Sequence, residues 1–187
     1  MDIVLFGIQG SGKGTQAKKL AAEFSFDIFE AGGELRKIAA SGSELGQTVK
    51  SFIDAGNLVP HEIIMKVVKE AIGKRPATQK ILFDGIPRDG NQQKDFDAIM
   101  QDAGRGFRVI HLKLDPEEGV RRIFGRAKTE GRKDDSDEAI IRKRMKTFTE
   151  KTVPVLEDYQ GRGLVAEIDG MMGVDDVYRE MKRAIAA

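Results

Sequence analysis

The chain has 187 residues, 33% of them charged, with a net charge of +1 and no cysteine. That length suits one domain built on one core. The near-neutral balance gives no reason to expect nucleic acid or a membrane surface as partner, and the lack of cysteine excludes disulfides, thiolate zinc sites and cysteine nucleophiles.

The first predicted element is the apolar run Asp2–Phe6. The stretch Gly7-Ile8-Gln9-Gly10-Ser11-Gly12-Lys13-Gly14-Thr15 follows it, and a helical pattern runs from Gln16 to Phe24. Strand, glycine-rich turn and helix are the context of a P-loop. Glycines let successive backbone N–H groups curl around phosphate oxygens, and the helix N-terminus adds its dipole. Lys13 brings a mobile positive charge to the β- and γ-phosphates. One detail departs from the plain motif: Gly14 follows the lysine, and the hydroxyl residue, Thr15, comes one place later.

Further β-rich runs are predicted at Phe26–Phe29, Lys80–Phe83, Phe107–Leu114 and Gly163–Ile168. Helical spacing fills the intervals, so an α/β fold with a parallel sheet covered on both faces is expected. About fifty residues separate the second and third strands, too many for one crossover helix. That interval carries helical patterns at Gly33–Ala40, Ser43–Ala55 and His61–Ile72, broken at Gly42, Gly56 and Pro60, and reads as an inserted helical lobe. Later, Pro116-Glu117-Glu118 signals a helix start. A polar, irregular patch from Ala127 to Ser136 then precedes a long helix reaching toward Tyr159, and reads as a lid. The chain enters its first strand at once, with no signal peptide, and no apolar run approaches a membrane span, so a soluble cytoplasmic protein is expected.

Two sets of residues carry chemistry. Asp84 ends the third strand within Asp84-Gly85-Ile86-Pro87-Arg88, where α/β sheets bind ligands, and beside a P-loop it reads as a magnesium partner, directly or through water. Arg36, Arg88, Arg122, Arg126, Arg132 and Arg144 lie near turns and strand ends, and planar guanidinium groups clamp phosphates bidentately. His61 reads as a helix-start residue and His111 as a strand residue, which leaves no Ser/His/Asp set. Phosphoryl transfer to another phosphate needs no strong base, because the acceptor oxygen is already anionic; alignment and charge neutralisation suffice.

In these motifs the chain resembles the adenylate kinase family of nucleoside monophosphate kinases. The resemblance rests on Gly12-Lys13-Gly14-Thr15-Gln16, Gly32 through Leu35-Arg36, and Ala55-Gly56-Asn57-Leu58-Val59-Pro60. It continues through Asp84 to Arg88, Gln92, Arg122 with Gly125-Arg126, Gly131 through Asp135, and Arg144 before Thr152-Val153-Pro154-Val155. It implies a P-loop kinase fold: a five-stranded parallel sheet of order 2-3-1-4-5 flanked by helices. The core would span 1–29, 60–125 and 136–187, with an NMP-binding lobe at 30–59 and a short lid at 126–135.

The implied reaction is ATP + AMP = 2 ADP, with magnesium and without zinc, in a monomeric enzyme without nucleic acid or membrane partners. The resemblance implies that Gly10, Ser11, Gly12, Lys13, Gly14 and Thr15 hold the ATP phosphates. Arg122 would cover the adenine, Arg126 would reach the ATP phosphates, and Met172 would offer its backbone to ATP. Arg36, Arg88, Arg132 and Arg144 would surround the AMP phosphate and the group in transfer. Asn57, Leu58, Val59, Gly85, Ile86, Pro87 and Gln92 would meet the AMP base, and Asp84 would act through magnesium-bound water.

Several positions depart from the family pattern. Ala31 stands where a hydroxyl residue is usual and Gly33 where aspartate is usual; Gln9, Ile86 and Asn91 also differ. Relatives acting on UMP and CMP often carry alanine at the position of Ala31, so these are the rival acceptors. Spacing leaves Arg142 as a rival to Arg144. A nucleotide-dependent switch is the rival of another class, but no Asn-Lys-x-Asp base-reading motif is present.

Overall fold

The computed structural model describes residues 1–130 and 137–186, with the side chains of 126–130 left aside. In chain order the elements are β1 (Asp2–Phe6), α1 (Lys13–Phe24), β2 (Asp27–Glu30), α2 (Ala31–Ala39), α3 (Glu44–Asp54), α4 (His61–Gly73), β3 (Ile81–Asp84) and α5 (Gly90–Asp102). There follow β4 (Phe107–Lys113), α6 (Pro116–Glu130), α7 (Glu138–Thr147), a π-helical turn (Phe148–Thr152), α8 (Val153–Gly161), β5 (Val165–Asp169) and α9 (Val174–Ala186).

The sheet order is β2-β3-β1-β4-β5 and every pairing is parallel. All of β1 is buried, as a central parallel strand covered on both faces must be. Its alternate residues serve two cores. Val4 and Phe6 join Phe29, Phe83, Phe96 and Tyr159 under α4, α5 and α8. Ile3 and Leu5 join Leu20, Leu82, Ile110 and Met181 under α1 and α9. On the first face, aromatic rings run in series from Phe29 to Phe83, Phe96, Phe107, Tyr159 and Phe6, with centroids 5.1–6.2 Å apart. A third cluster, Ile8, Val120, Ile123, Ile141 and Met145, ties the P-loop to α6 and α7.

At the N-terminal end of the strands a buried ion pair pins the sheet. Arg105 grips Asp2 with two bonds of 2.7 and 2.9 Å, while Asp2 also accepts the Ile81 N–H at 2.8 Å. The site lies at the opposite, carboxyl end.

The inserted helices α2, α3 and α4 occupy the expected interval between β2 and β3. Two boundaries differ from expectation. The P-loop helix begins at Lys13 rather than Gln16, because Gly12, at φ +90°, closes the turn. Helix α6 continues through Glu130, so residues 127–130 are helical rather than irregular; alanine, lysine and glutamate favour helix. Most of the expected lid, residues 131–136 with Arg132, lies outside the described residues. The long helix expected toward Tyr159 is interrupted by the π turn, since Pro154 has no N–H to continue an even ladder.

Candidate active site

Helix α1 starts with no side-chain cap, so its first amide groups are aimed at the mouth of the P-loop without an internal acceptor of that kind. The loop itself is pressed close to α6: a Cβ on Gly10, where φ is +82°, would stand 2.7 Å from the Gly119 carbonyl oxygen. Only glycine allows both that φ and that approach. Lys13 arches over the loop, its Nζ donating to the carbonyls of Gly7 at 2.7 Å and Ile8 at 3.0 Å.

The loop forms one wall of a cleft of about 720 Å³. Gly10, Gly12, Lys13, Gly14, Thr15, Arg122 and Met172 line the P-loop side. Arg122 is held there by Glu118, at 2.7 Å, and by the Gly170 carbonyl, at 3.1 Å. Ser11 does not line the cleft; its side chain is buried and its N–H donates to Ile8.

Across the cleft stand Ala31 and Arg36 from α2, Asn57, Leu58 and Val59 from the segment after α3, the turn Gly85, Ile86, Pro87 and Arg88, then Gln92 and Arg144. Gly85, at φ +81°, lets Arg88 fold back so that its Nε donates to the Gly85 carbonyl at 2.7 Å. The Arg88 N–H is accepted by Gln92 at 2.8 Å, and its carbonyl accepts the Thr152 hydroxyl at 2.7 Å. Thr152, buried in the π turn, thereby fixes the arginine-bearing turn. Nothing local in the sequence marks Thr152 for that role.

Arg144 lines the cleft and donates to the Ile53 carbonyl at 3.2 Å. Its rival Arg142 faces away and pairs with Glu117 and Glu138 on the surface. Arg126 belongs to α6, but its side chain lies outside the described residues, as does Arg132.

Asp84 sits between the two sides at the end of β3, nearly buried. Burial raises its pKa, Lys13 opposes that, Glu30 adds to it, and Arg88 and Arg36 oppose it again. Arg88 is open to the cleft but otherwise surrounded by protein, which lowers its pKa; Asp84 counters, while Arg144 and Arg36 add to the lowering. Guanidinium groups remain charged throughout the working range. Glu30 carries no role on sequence alone. It ends β2 in register with Asp84 on β3, lines the cleft, and pairs with Arg36 at 2.7 Å.

No group of three or more His, Cys, Asp or Glu suited to a metal stands among the described residues. A single buried carboxylate beside a phosphate loop instead fits magnesium, which keeps waters and binds largely through substrate phosphates. No helix among the described residues is long and apolar enough to cross a membrane.

Comparison with known sequences agrees with this architecture. The family model described as Adenylate kinase matches residues 5–164. A protein named adenylate kinase from Thermus thermophilus is 36% identical over 184 residues, covering 98% of this chain and 96% of the relative. One from Maricaulis maris is 39% identical over 178 residues, 95% and 94% of the two chains. One from Stenotrophomonas maltophilia is 36% identical over 188 residues, the full length of both.

Proposed function

Because the chain belongs to the adenylate kinase family along nearly its whole length, we propose that it transfers the γ-phosphoryl group of magnesium-bound ATP reversibly to AMP, giving two ADP. It is a phosphotransferase of the nucleoside monophosphate kinase class. The observation that supports the assignment of sides is the single cleft, walled by a P-loop on one side and by Arg36, Arg88 and Arg144 on the other. All of these groups come from one chain, so a monomer suffices. We read it as a cytoplasmic enzyme that engages neither nucleic acid nor membrane.

In this reading the amides of Gly10 and of Gly12 to Thr15 hold the ATP phosphates, with the Ser11 N–H kept on the Ile8 carbonyl, and Arg122 and Met172 meet the adenosine. Arg126 is assigned to the ATP phosphates. Arg36, Arg88, Arg132 and Arg144 hold the acceptor phosphate. Asn57 to Val59, Ala31, Gly85 to Pro87 and Gln92 meet the acceptor base. An AMP phosphate oxygen attacks the γ-phosphorus in line, the bond from that phosphorus to the β–γ bridging oxygen breaks, and ADP departs. Lys13 leaves its two carbonyl partners to follow the transferred group, offsetting its charge without a proton transfer. Asp84 would hold magnesium through water, and the ion would supply charge neutralisation at the phosphates. The inserted helices 30–59 and the lid 126–135 exclude water, which suppresses wasteful hydrolysis.

A coupled assay comparing AMP, UMP, CMP and GMP as acceptors tests this. The expected result is the highest kcat/KM with AMP; AMP as the poorest acceptor would overturn the assignment.

A further inference from the structure

On the acceptor side of the cleft, Arg36 Nη2 lies 2.7 Å from the Glu30 carboxylate. Two glycines in the first turn of α2 lie against that pair. A Cβ on Gly33 would stand 3.1 Å from Glu30 Oε2, and one on Gly32 would stand 3.1 Å from Arg36 Nη1. Both side chains are substantially exposed to the cleft, 39% for Arg36 and 47% for Glu30, so either can be displaced. Glu30 also stands beside Asp84 in the strand register, which adds negative charge where a second anion must arrive.

We infer that Glu30 is an affinity-setting residue for the acceptor nucleotide: its carboxylate occupies on Arg36 the place that the acceptor phosphate must take. This rests on the reading above that Arg36 meets that phosphate. A phosphate dianion and a carboxylate cannot share one guanidinium fork without mutual repulsion. The incoming nucleotide therefore displaces Glu30, and the pair re-forms as the product leaves. Glu30 weakens acceptor binding and leaves the ATP side untouched, an adjustment of KM rather than of the transfer step.

The test is AMP binding by calorimetry without ATP, together with steady-state kinetics, on Glu30→Gln, Glu30→Ser, Arg36→Ala and the double variant Glu30→Gln/Arg36→Ala. Thermal melting confirms that each is folded. Neutralising Glu30 should lower both the Kd and the KM for AMP about three- to tenfold, and change the KM for ATP less than about twofold. Arg36→Ala should weaken AMP binding, and in its background Glu30→Gln should lose most of its effect. Unchanged or weaker AMP binding in both Glu30 variants would overturn the proposal while leaving the role of Arg36 standing. Equal tightening with and without Arg36 would also overturn it, since Glu30 would then act through bulk repulsion. If Arg36→Ala left AMP binding unaltered, the assignment of Arg36 would fall, and the proposal with it.

Discussion

Every residue of β1 is buried, whereas α2 buries Ala31 alone and α3 only Gly46 and Val49. The two regions reach the same cleft by different physics. The strand platform holds Lys13 at the start of α1, Asp84 at the end of β3 and Arg88 on the turn that follows, all at the edge of a close-packed core, with the ring series beneath and the Asp2–Arg105 pair at its far end. The lobe helices α2 and α3 and the segment after them present Arg36 and Asn57–Val59 from elements that bury little, with contacts such as Lys143 Nζ donating to the Ala55 carbonyl at 2.8 Å and Arg144 to that of Ile53. Such contacts can break and re-form without opening a core. We propose a division of labour: platform changes should act on turnover and stability, lobe changes on acceptor affinity and choice.

The sharpest way to break that division is Lys13→Met. It should reduce kcat by about 10³-fold while the melting temperature stays within a few degrees. Retained turnover would refute the role of the lysine. Next in size, Phe96→Ala should cost about 3–5 kcal/mol in denaturant unfolding, because Phe96 is fully buried between Phe83 and Phe107. Leu45→Ala in α3 should cost no more than about 0.5 kcal/mol, since Leu45 is exposed. Equal losses at the two positions would show that the lobe is as integral as the platform.

A smaller effect is expected at the acceptor wall. Ala31→Thr adds a hydroxyl at the cleft and should raise the preference for AMP over UMP and CMP about threefold in the acceptor assay, the worth of one modest hydrogen bond. No change in relative rates would count against a base-reading role there.

The smallest concerns His111, on β4 beside Phe6. Burial holds its pKa below the usual 6.5, a hydrogen bond and the charge of Glu167 oppose this, and Lys113 and Lys13 add to the lowering. Because the folded state takes up the proton less readily, this contribution to stability is complete above pH 6.5 and is lost as pH falls through the folded pKa. His111→Gln should remove that dependence, so melting temperatures of variant and wild type should converge as pH falls from about 7.5 to about 5. A constant gap would show that burial does not govern the imidazole.

Much of this was legible in the residues themselves. Apolar runs closed by turn residues located each strand to within two residues, most closely β1, whose five residues are all buried. Asp84 could be placed because a strand end beside a P-loop is a known ligand position. Glu30 could not, because a charged residue closing a strand reads as solvated until β2 and β3 are set in register. The Asp2–Arg105 pair spans 103 positions of sequence, and no local pattern announces it. Thr152 became meaningful only when the π turn brought its hydroxyl to the Arg88 carbonyl.

The account holds that both nucleotides share one cleft and the phosphoryl group passes directly between them, with no residue of the chain carrying it. The most direct measurement is the stereochemical course, using ATP whose γ-phosphorus is made chiral with oxygen isotopes and sulfur. A single in-line transfer predicts inversion at phosphorus; retention would show a covalent enzyme intermediate and contradict the account.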